Sequence, residues 1–281
     1  QSGARLFFKC ENFQKVGAFK MRGATNAVFA LSDSDSQAGV ATHSSGNHAQ
    51  ALALAARQRG IPAYVVMPNN APQVKVAAVK GYGAEIITCE PTLAAREATV
   101  AEVITRTGAT LIHPFDNDHI IAGQGTAALE LLQEHPEIEI MVAPVGGGGL
   151  LSGTALATRN LAPNAKIYGA EPTGADDTFR SLAAGKIIPM IDPNTVADGL
   201  LTTVGQRNFD IIRKNVAGIW TVDDDQIVSA MRLVWERMKI VIEPSAAVAV
   251  AAVLSQKAEV AGRQVGIILS GGNLDLGRLP W

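Results

Sequence analysis

The sequence predicts a doubly wound α/β protein built on parallel β-sheets, and three observations support that prediction. Short apolar runs typical of strands alternate along the chain with longer runs in which apolar residues recur at helical spacing. The strand-like runs are largely apolar, as in residues 264–269, which is expected of strands covered on both faces. Loops rich in glycine or serine follow several of these runs, where ligands bind in parallel sheets.

The predicted elements alternate along the whole chain. Strands are expected at residues 5–9, 39–43, 63–67, 85–88, 110–113, 138–144, 166–171 and 264–269. Helices are expected at residues 18–31, 47–59, 73–82, 92–107, 123–133, 150–160, 227–238 and 245–254. The first helix should end in the turn-like residues 32–36 and the second at Gly60, while Pro72 suits the first turn of the third.

Composition narrows the classes of function. The chain has 281 residues, of which 47% are hydrophobic and 18% charged, as in a protein with a large core. A net charge of -2 does not favour nucleic acid or an anionic membrane, and the apolar runs are too short to span a bilayer. With no visible signal peptide and only Cys10 and Cys89, we expect a cytoplasmic protein with reduced thiols. The histidines form no metal-binding motif, and the start at Gln1 predicts a fragment or processed chain.

Four consecutive glycines at residues 146–149 lie between a predicted strand and a predicted helix. Without Cβ atoms, their backbone N–H groups can converge on an anion at the positive end of the helix, which favours a phosphate. A P-loop is excluded because Leu150 and Leu151 stand where lysine and serine or threonine are needed. A dinucleotide fingerprint ending at Ser152, with Glu171 downstream, is a near match, so an NAD-dependent dehydrogenase stays open, as does a purely structural turn.

Three further segments combine small residues with polar ones. Residues 44–48 (Ser-Ser-Gly-Asn-His) could cap a helix or hold a carboxylate, and residues 270–273 (Ser-Gly-Gly-Asn) could form a plain turn or contact a ligand. Lys20 lies in the segment 17–23 (Gly-Ala-Phe-Lys-Met-Arg-Gly), either as an exposed lysine or as one held in a pocket for chemistry.

Together these segments resemble a known family. Residues 11–23 (Glu-Asn-Phe-Gln-Lys-Val-Gly-Ala-Phe-Lys-Met-Arg-Gly) resemble the lysine segment of the fold type II pyridoxal-phosphate (PLP) enzymes. Residues 44–48, 146–149 and 270–273 resemble that family's substrate, phosphate and pyridine-nitrogen loops, in the family's order. The similarity is greatest to serine/threonine dehydratases, serine racemases and threo-3-hydroxyaspartate dehydratases.

The resemblance implies a fold like that of the tryptophan synthase β subunit. Two doubly wound parallel-sheet domains would then hold PLP in the cleft between them. Residues 1–38 and 117–281 would form the large PLP-binding domain, and residues 39–116 the small domain that carries the substrate loop.

The same resemblance implies roles for individual residues. Lys20 would bond PLP covalently, and Ser45 would act as an acid or base on the opposite face of the cofactor, unless it merely caps a helix. The other implied cofactor contacts are Phe19, Asn47, Gly146, Gly147, Gly148, Gly149, Gly199 and Ser270. The implied substrate contacts are Ser44, Ser45, Gly46, Asn47 and His48.

A cation site and a nucleotide site are also implied. Glu171, the carbonyl of Ala175 and Asp177 would bind Mg²⁺ or Ca²⁺, with Mn²⁺ a further candidate, although a solvated acidic loop would look the same. ATP as an effector would contact Lys15, Gln50, Lys75, Tyr82, Lys239 and Asn273.

We therefore expect a PLP-dependent ammonia-lyase that converts serine- or threonine-type β-hydroxy amino acids to 2-oxo acids and ammonia, acting as a homodimer. Ser45 resembles the residue of serine racemases, so a serine racemase with side eliminase activity is an alternative. Val16-Gly17-Ala18 resembles the hydroxyaspartate type, so a threo-3-hydroxyaspartate ammonia-lyase is another. Phe115 resembles the residue that dehydratases have at this position, where mammalian-type racemases have a polar residue. From other classes, an NAD-dependent dehydrogenase and a non-catalytic sensor remain alternatives.

Overall fold

The structure is a computed structural model that describes residues 2–44, 46–71 and 73–281, so Ser45 and Pro72 lie outside the described residues. It consists of two compact units. The first unit contains residues 2–19 and 124–281, and the second unit contains residues 20–123. Among the described residues, no helix combines the length and apolar character needed to cross a membrane.

The strands and helices alternate as the sequence predicts. The strands are β1 (Arg5–Cys10), β2 (Val40–His43), β3 (Ala63–Pro68), β4 (Glu85–Cys89), β5 (Thr110–Leu111), β6 (Ile140–Pro144), β7 (Lys166–Pro172), β8 (Gly218–Val222) and β9 (Gln264–Leu269). The helices are α1 (Lys20–Ala30), α2 (Asp33–Ser36), α3 (Asn47–Arg59), α4 (Gln73–Gly81), α5 (Leu93–Thr107), α6 (Asp118–Glu134), α7 (Gly149–Leu161), α8 (Asp177–Ala184), α9 (Gln206–Asn215), α10 (Asp224–Met238), α11 (Pro244–Ser255) and α12 (Lys257–Val260).

Each unit contains one parallel sheet. In the first unit the strand order is β1-β9-β6-β7-β8, and in the second it is β4-β3-β2-β5. Helix α11 packs against the first sheet and is buried from Pro244 to Val253, because small and apolar residues surround its axis. The two parallel sheets with helical connections confirm the predicted fold class.

The first helix falls in the second unit. Helix α1 packs against α3, and the N-terminal part of α6 approaches α1 so closely that a Cβ on Gly123 would lie 2.6 Å from the Cα of Gly23. These contacts group residues 20–38 and 117–123 with the second unit, whereas the predicted boundaries place them in the large domain. PLP binding by the large domain and substrate binding by the small domain remain predictions.

Several elements differ from the predicted ones. Helices α2, α8, α9 and α12 and strand β8 have no predicted counterpart. Helix α2 forms within residues 32–36, which were predicted to be a turn, because the Ser32 hydroxyl accepts a hydrogen bond from the N–H of Asp35 and caps it. Helix α6 begins at Asp118 rather than at residue 123, because the Asn117 side chain accepts a hydrogen bond from the N–H of Ile120 and caps the helix. Strand β5 ends at Leu111 rather than at residue 113, because the chain then enters a turn closed by the His113 side chain.

Candidate functional site

Lys20 is the first residue of α1, and its amine lies in an environment of low polarity. The Nζ atom donates a hydrogen bond to the carbonyl of Pro114 at 2.7 Å. Although the residue as a whole is only partly buried, desolvation of the amine lowers the Lys20 pKa from 10.5 to about 8. Near neutral pH a useful fraction of this amine is therefore unprotonated, as a nucleophile or base requires.

A turn built on His113 holds the carbonyl that faces Lys20. The Nδ1 atom of His113 accepts hydrogen bonds from the N–H groups of Phe115 and Asp116, at 3.3 and 2.9 Å. A ring nitrogen that accepts hydrogen bonds carries no proton, so the proton of the neutral imidazole lies on Nε2. This turn fixes the peptide that contains the Pro114 carbonyl.

Three histidines lie around this turn. The rings of His43 and His113 meet edge to face with centroids 6.1 Å apart, and buried His48 has its Nε2 atom 3.2 Å from the carbonyl of Ile112. Burial, with Lys20 nearby, lowers the pKa of His48 well below its ordinary value, so this imidazole is neutral at pH 7. Sequence reasoning missed this group, although β2 and β5 are parallel neighbours and end at the same sheet edge.

The predicted substrate loop follows β2 and leads into α3. Gly46 precedes Asn47, the first residue of α3, and its N–H donates to the Ser44 hydroxyl at 3.3 Å. Backbone N–H groups at this helix end suit a carboxylate. Ser45 lies outside the described residues. Because the ring of His48 is buried against Ile112, its predicted role in substrate binding could involve only its backbone.

The glycines at residues 146–149 follow β6 and are all buried, with Gly149 starting α7. Gly148 has a φ of +93°, which favours glycine, and a Cβ there would lie 2.7 Å from the Cβ of Asn208. A Cβ on Gly146 would lie 3.0 Å from the Cα of Leu200. Larger residues are disfavoured at Gly146 and Gly148. Because the N–H groups at the start of α7 can converge on an anion, the loop fits the phosphate of PLP.

The loop at residues 270–273 is attached to the segment that precedes Lys20. The buried Ser270 accepts a hydrogen bond at its carbonyl from the N–H of Phe19 at 3.0 Å. The Asn273 amide donates to the carbonyl of Val16, and the N–H of Gly272 donates to the carbonyl of Gly17 at 2.9 Å. These bonds fix the backbone of the Ser270 loop relative to the segment that ends at Phe19.

Gly199 is exposed and lies in a short 3-10 helix, Asp198–Leu200, of the first unit. Its N–H donates to the hydroxyl of Ser245 at 2.9 Å, and a Cβ on Gly199 would lie equally close to that oxygen. Ser245 is 2% exposed and lies in the first turn of α11. Sequence reasoning did not identify Ser245, because a serine near a helix start carries no distinguishing signal.

The predicted cation ligands are buried around the start of α8. Glu171 accepts hydrogen bonds from the N–H groups of Thr178 and Phe179, at 3.1 and 2.8 Å, and Asp177 accepts one from Val204 at 2.9 Å. The second carboxylate oxygen of Asp177 is buried and has no hydrogen-bond partner among the residues that the structure describes. Desolvation by burial raises the pKa of Glu171 to about 8 and that of Asp177 to about 6.

This pair of carboxylates fits a hard cation. A cation would satisfy this oxygen of Asp177 and would favour the ionised form of both buried carboxyl groups, whose pKa values are raised by burial. The described residues contain no group of three or more acidic, histidine or cysteine side chains suited to a metal, so water and the carbonyl of Ala175 would supply the other ligands.

The residues predicted to contact ATP belong to both units. Lys15, Lys239 and Asn273 are in the first unit, and Gln50, Lys75 and Tyr82 are in the second. Gln50 is buried, and Asn273 already donates to Val16.

Comparison with known proteins assigns the family. A family model described as "Pyridoxal-phosphate dependent enzyme" matches residues 1–271. Serine racemase from Dictyostelium discoideum is 53% identical over 279 residues, which cover 98% of this chain and 86% of that protein. A crystal structure of serine racemase from that organism matches with a TM-score of 0.94, covering 98% of this chain and 89% of the solved chain.

Two further relatives carry lyase names. The beta-hydroxyaspartate dehydratase of Paracoccus denitrificans (strain Pd 1222) is 51% identical over 280 residues, or 100% of this chain and 89% of that protein. The L-threo-3-hydroxyaspartate ammonia-lyase of Saccharomyces cerevisiae (strain ATCC 204508 / S288c) is 50% identical over 277 residues, or 98% and 85%.

The family match argues against the alternative of an NAD-dependent dehydrogenase. The Glu171 carboxylate, which would have to bind the dinucleotide, instead accepts hydrogen bonds from backbone N–H groups of α8. The buried amine of Lys20, the glycine loop before α7 and the Ser270 loop occur together with this match along the chain. The chain therefore belongs to the fold type II pyridoxal-phosphate-dependent enzymes, in the branch that includes serine racemases and hydroxyaspartate dehydratases.

Proposed function

We propose that this protein is a PLP-dependent ammonia-lyase that removes water and then ammonia from β-hydroxy amino acids. The observation that carries the proposal is the desolvated amine of Lys20, whose pKa is lowered to about 8. The relatives named as a dehydratase and an ammonia-lyase support the same reaction.

In this proposal Lys20 bonds the cofactor and later acts as a base. When its amine is not bonded to the cofactor, Lys20 would remove the proton from the substrate α-carbon. PLP, when bound, supplies the electron sink that stabilises the negative charge left on that carbon. The Pro114 carbonyl, 2.7 Å from Nζ, orients the amine while it is free.

The other residues bind and orient. The N–H groups of residues 146–149 hold the cofactor phosphate, and those around Gly46 and Asn47 hold the substrate carboxylate. Phe19, Asn47 and the backbone of Gly199 are the further residues that would contact the cofactor, with the Asn47 side chain as a hydrogen-bond donor to it. Ser270 would be the partner of the ring nitrogen, and unlike a carboxylate its hydroxyl would not hold that nitrogen protonated, which suits elimination better than transamination. Loss of the β-hydroxyl and hydrolysis then give the 2-oxo acid and ammonia.

Racemisation is the second candidate function, because relatives of this chain are named serine racemase. It needs a proton donor on the face opposite Lys20, and Ser45 is the residue that we assign to that role. A protein with both groups would convert L-serine to D-serine as well as to a 2-oxo acid.

We further propose that Glu171, the carbonyl of Ala175 and Asp177 bind Mg²⁺ or Ca²⁺, or Mn²⁺. The unpartnered oxygen of Asp177 supports this site. ATP as an effector, the homodimer and a cytoplasmic location remain predictions, for which titration with ATP, light scattering and cell fractionation are the tests.

A spectrum and an assay test the central proposal. The purified protein should absorb at about 410–420 nm through the lysine-bound cofactor, and borohydride or Lys20→Ala should abolish that band. Lys186→Ala, which alters an exposed lysine away from these residues, should keep it. Release of 2-oxo acid from L-serine, L-threonine, D-serine and 3-hydroxyaspartate then ranks the substrates. A colourless protein that binds no PLP, or one that releases no 2-oxo acid from any of the four, would contradict the lyase function.

A further inference from the structure

We infer that Asn208, on α9, is a positioning residue that sets the direction of the backbone N–H groups in the glycine loop. The inference rests on the proposed function in one respect, namely that residues 146–149 bind the phosphate of PLP. Asn208 lies in a polar helix that was not predicted from the sequence, and it is fully buried.

The amide of Asn208 binds the glycine loop directly. Its Nδ2 atom donates a hydrogen bond to the carbonyl of Gly147 at 2.8 Å. The N–H of Gly205, the residue that caps α9, donates to the same carbonyl at 3.1 Å. Both lone pairs of this carbonyl oxygen are therefore used on the side of the loop that faces α9.

These two bonds determine where the next N–H points. The peptide between Gly147 and Gly148 is trans, and in a trans peptide the C=O and the N–H point in opposite directions. Because the Gly147 carbonyl is held towards α9, the N–H of Gly148 must point away from α9, into the space where an anion at the start of α7 would lie. Without Asn208, this peptide could rotate more freely, since glycines on both sides permit many φ and ψ values.

Packing around Asn208 limits the movement of the same peptide. A Cβ on Gly148 would lie 2.7 Å from the Cβ of Asn208, so backbone and side chain are in close contact. The Ser152 hydroxyl on α7 donates to the backbone carbonyl of Asn208 at 3.4 Å and joins α7 to α9. Shortly before α9, the N–H of Val204 donates a hydrogen bond to the Asp177 carboxylate. The residues from 204 to 208 thus form a fixed support behind the glycine loop.

This role predicts a selective loss of affinity for the phosphate group. Pyridoxal is the same aldehyde without the phosphate, so it can bond Lys20 but cannot use the glycine loop. In the wild-type protein PLP should bind far more tightly than pyridoxal. Asn208→Leu should reduce that preference roughly 10- to 100-fold, as expected when a hydrogen bond to a charged group is weakened. Asn208→Ala, which keeps the Cβ and favours helix, should do the same.

The experiment measures dissociation constants of PLP and pyridoxal, by absorbance, for the cofactor-stripped wild type and each variant. The matched control is Asn215→Leu on the same helix, where the amide donates to the carbonyl of Ile211 at 2.8 Å rather than to the loop. It should keep the wild-type preference. The ³¹P NMR shift of bound PLP should change in the Asn208 variants and not in the Asn215 variant.

Each result decides a different point. If the wild type does not prefer PLP to pyridoxal, residues 146–149 do not bind the phosphate, and that assignment in the proposed function is wrong. If the wild type prefers PLP and the folded Asn208 variants keep the full preference, the positioning role is overturned. It is equally overturned if both Asn208 variants lose pyridoxal and PLP to the same degree or fail to fold, because Asn208 would then serve stability alone.

Discussion

The lowered pKa of Lys20 can be measured directly in the cofactor-stripped protein. With a pKa of about 8, about one quarter of the Lys20 amines are neutral at pH 7.5, compared with about one in a thousand at the ordinary value of 10.5. The reactive fraction is thus larger by a factor of roughly 200. Desolvation of the amine lowers the Lys20 pKa. This effect is larger than the opposite effect of the Pro114 carbonyl, which favours the charged amine by accepting its hydrogen bond.

Competitive acetylation at a series of pH values, read by mass spectrometry of the digested protein, gives the titration of each lysine. Lys20 should become reactive about 2.5 pH units below the ordinary lysine range. The exposed Lys186 supplies a reference in the same sample. Coincident profiles for Lys20 and Lys186 would refute the reasoning that burial prepares this amine for chemistry.

The same pKa shift has a consequence for stability. Because the Lys20 pKa is lower in the folded state, the unfolded chain binds more protons between pH 8 and pH 10.5. The free energy of unfolding of the cofactor-stripped protein should therefore gain a contribution that grows as the pH rises through that window. Lys20→Met, which has similar size and no charge, should lack that contribution in denaturant titrations, and an identical pH dependence would contradict it.

Four further predictions concern other residues. Gly148→Ala should abolish tight PLP binding and cost about 1–2 kcal/mol from its positive φ alone, before the overlap with Asn208, as measured by cofactor titration and denaturant unfolding. Chelator should lower the melting temperature and activity, Mg²⁺ or Ca²⁺ should restore them, and Glu171→Ala should remove this response; the cation site is wrong if chelator and substitution change neither. Ser45→Ala should remove racemisation and retain elimination from L-serine, and its assigned role fails if the variant still racemises and acts on both enantiomers. Val16→Asn should raise the melting temperature by roughly 2–4 °C, because a β-branched residue is strained at a φ of +58°, and an unchanged or lower value would count against that strain.

The sequence predicts this fold well where strands are buried on both faces. Strands such as β6 and β9 are short apolar runs, and their helices follow at regular spacing. Strand β8 lies at the edge of its sheet and begins with Gly218, so its pattern is weaker. Helix α9 buries one narrow stripe that includes Phe209 and Ile212, and its other residues are mostly polar, so its sequence resembles a loop.

The candidate site was predictable to the extent that it depends on local sequence. The glycine loop and the Lys20 segment contain unusual residues next to one another, which makes them visible without a structure. The Pro114 carbonyl, Ser245 and Asn208 could not be found in this way, because their roles depend on tertiary contacts. A buried asparagine in a polar helix has the same sequence pattern as an exposed one.

The distribution of these contacts between the units separates two kinds of mutational effect. The glycine loop with Asn208 and the Ser270 loop, which are assigned to holding PLP without reacting, belong to the first unit, whereas Asn47 belongs to the second. Lys20 belongs to the second unit, together with the Pro114 carbonyl and the turn at His113, which orient the amine to which we assign proton transfer. Substitutions behind the glycine loop should thus be rescued by excess PLP, because they weaken occupancy and leave the base intact. Changes at His113 should persist at saturating PLP, because they alter the orientation of the Lys20 amine in every occupied site.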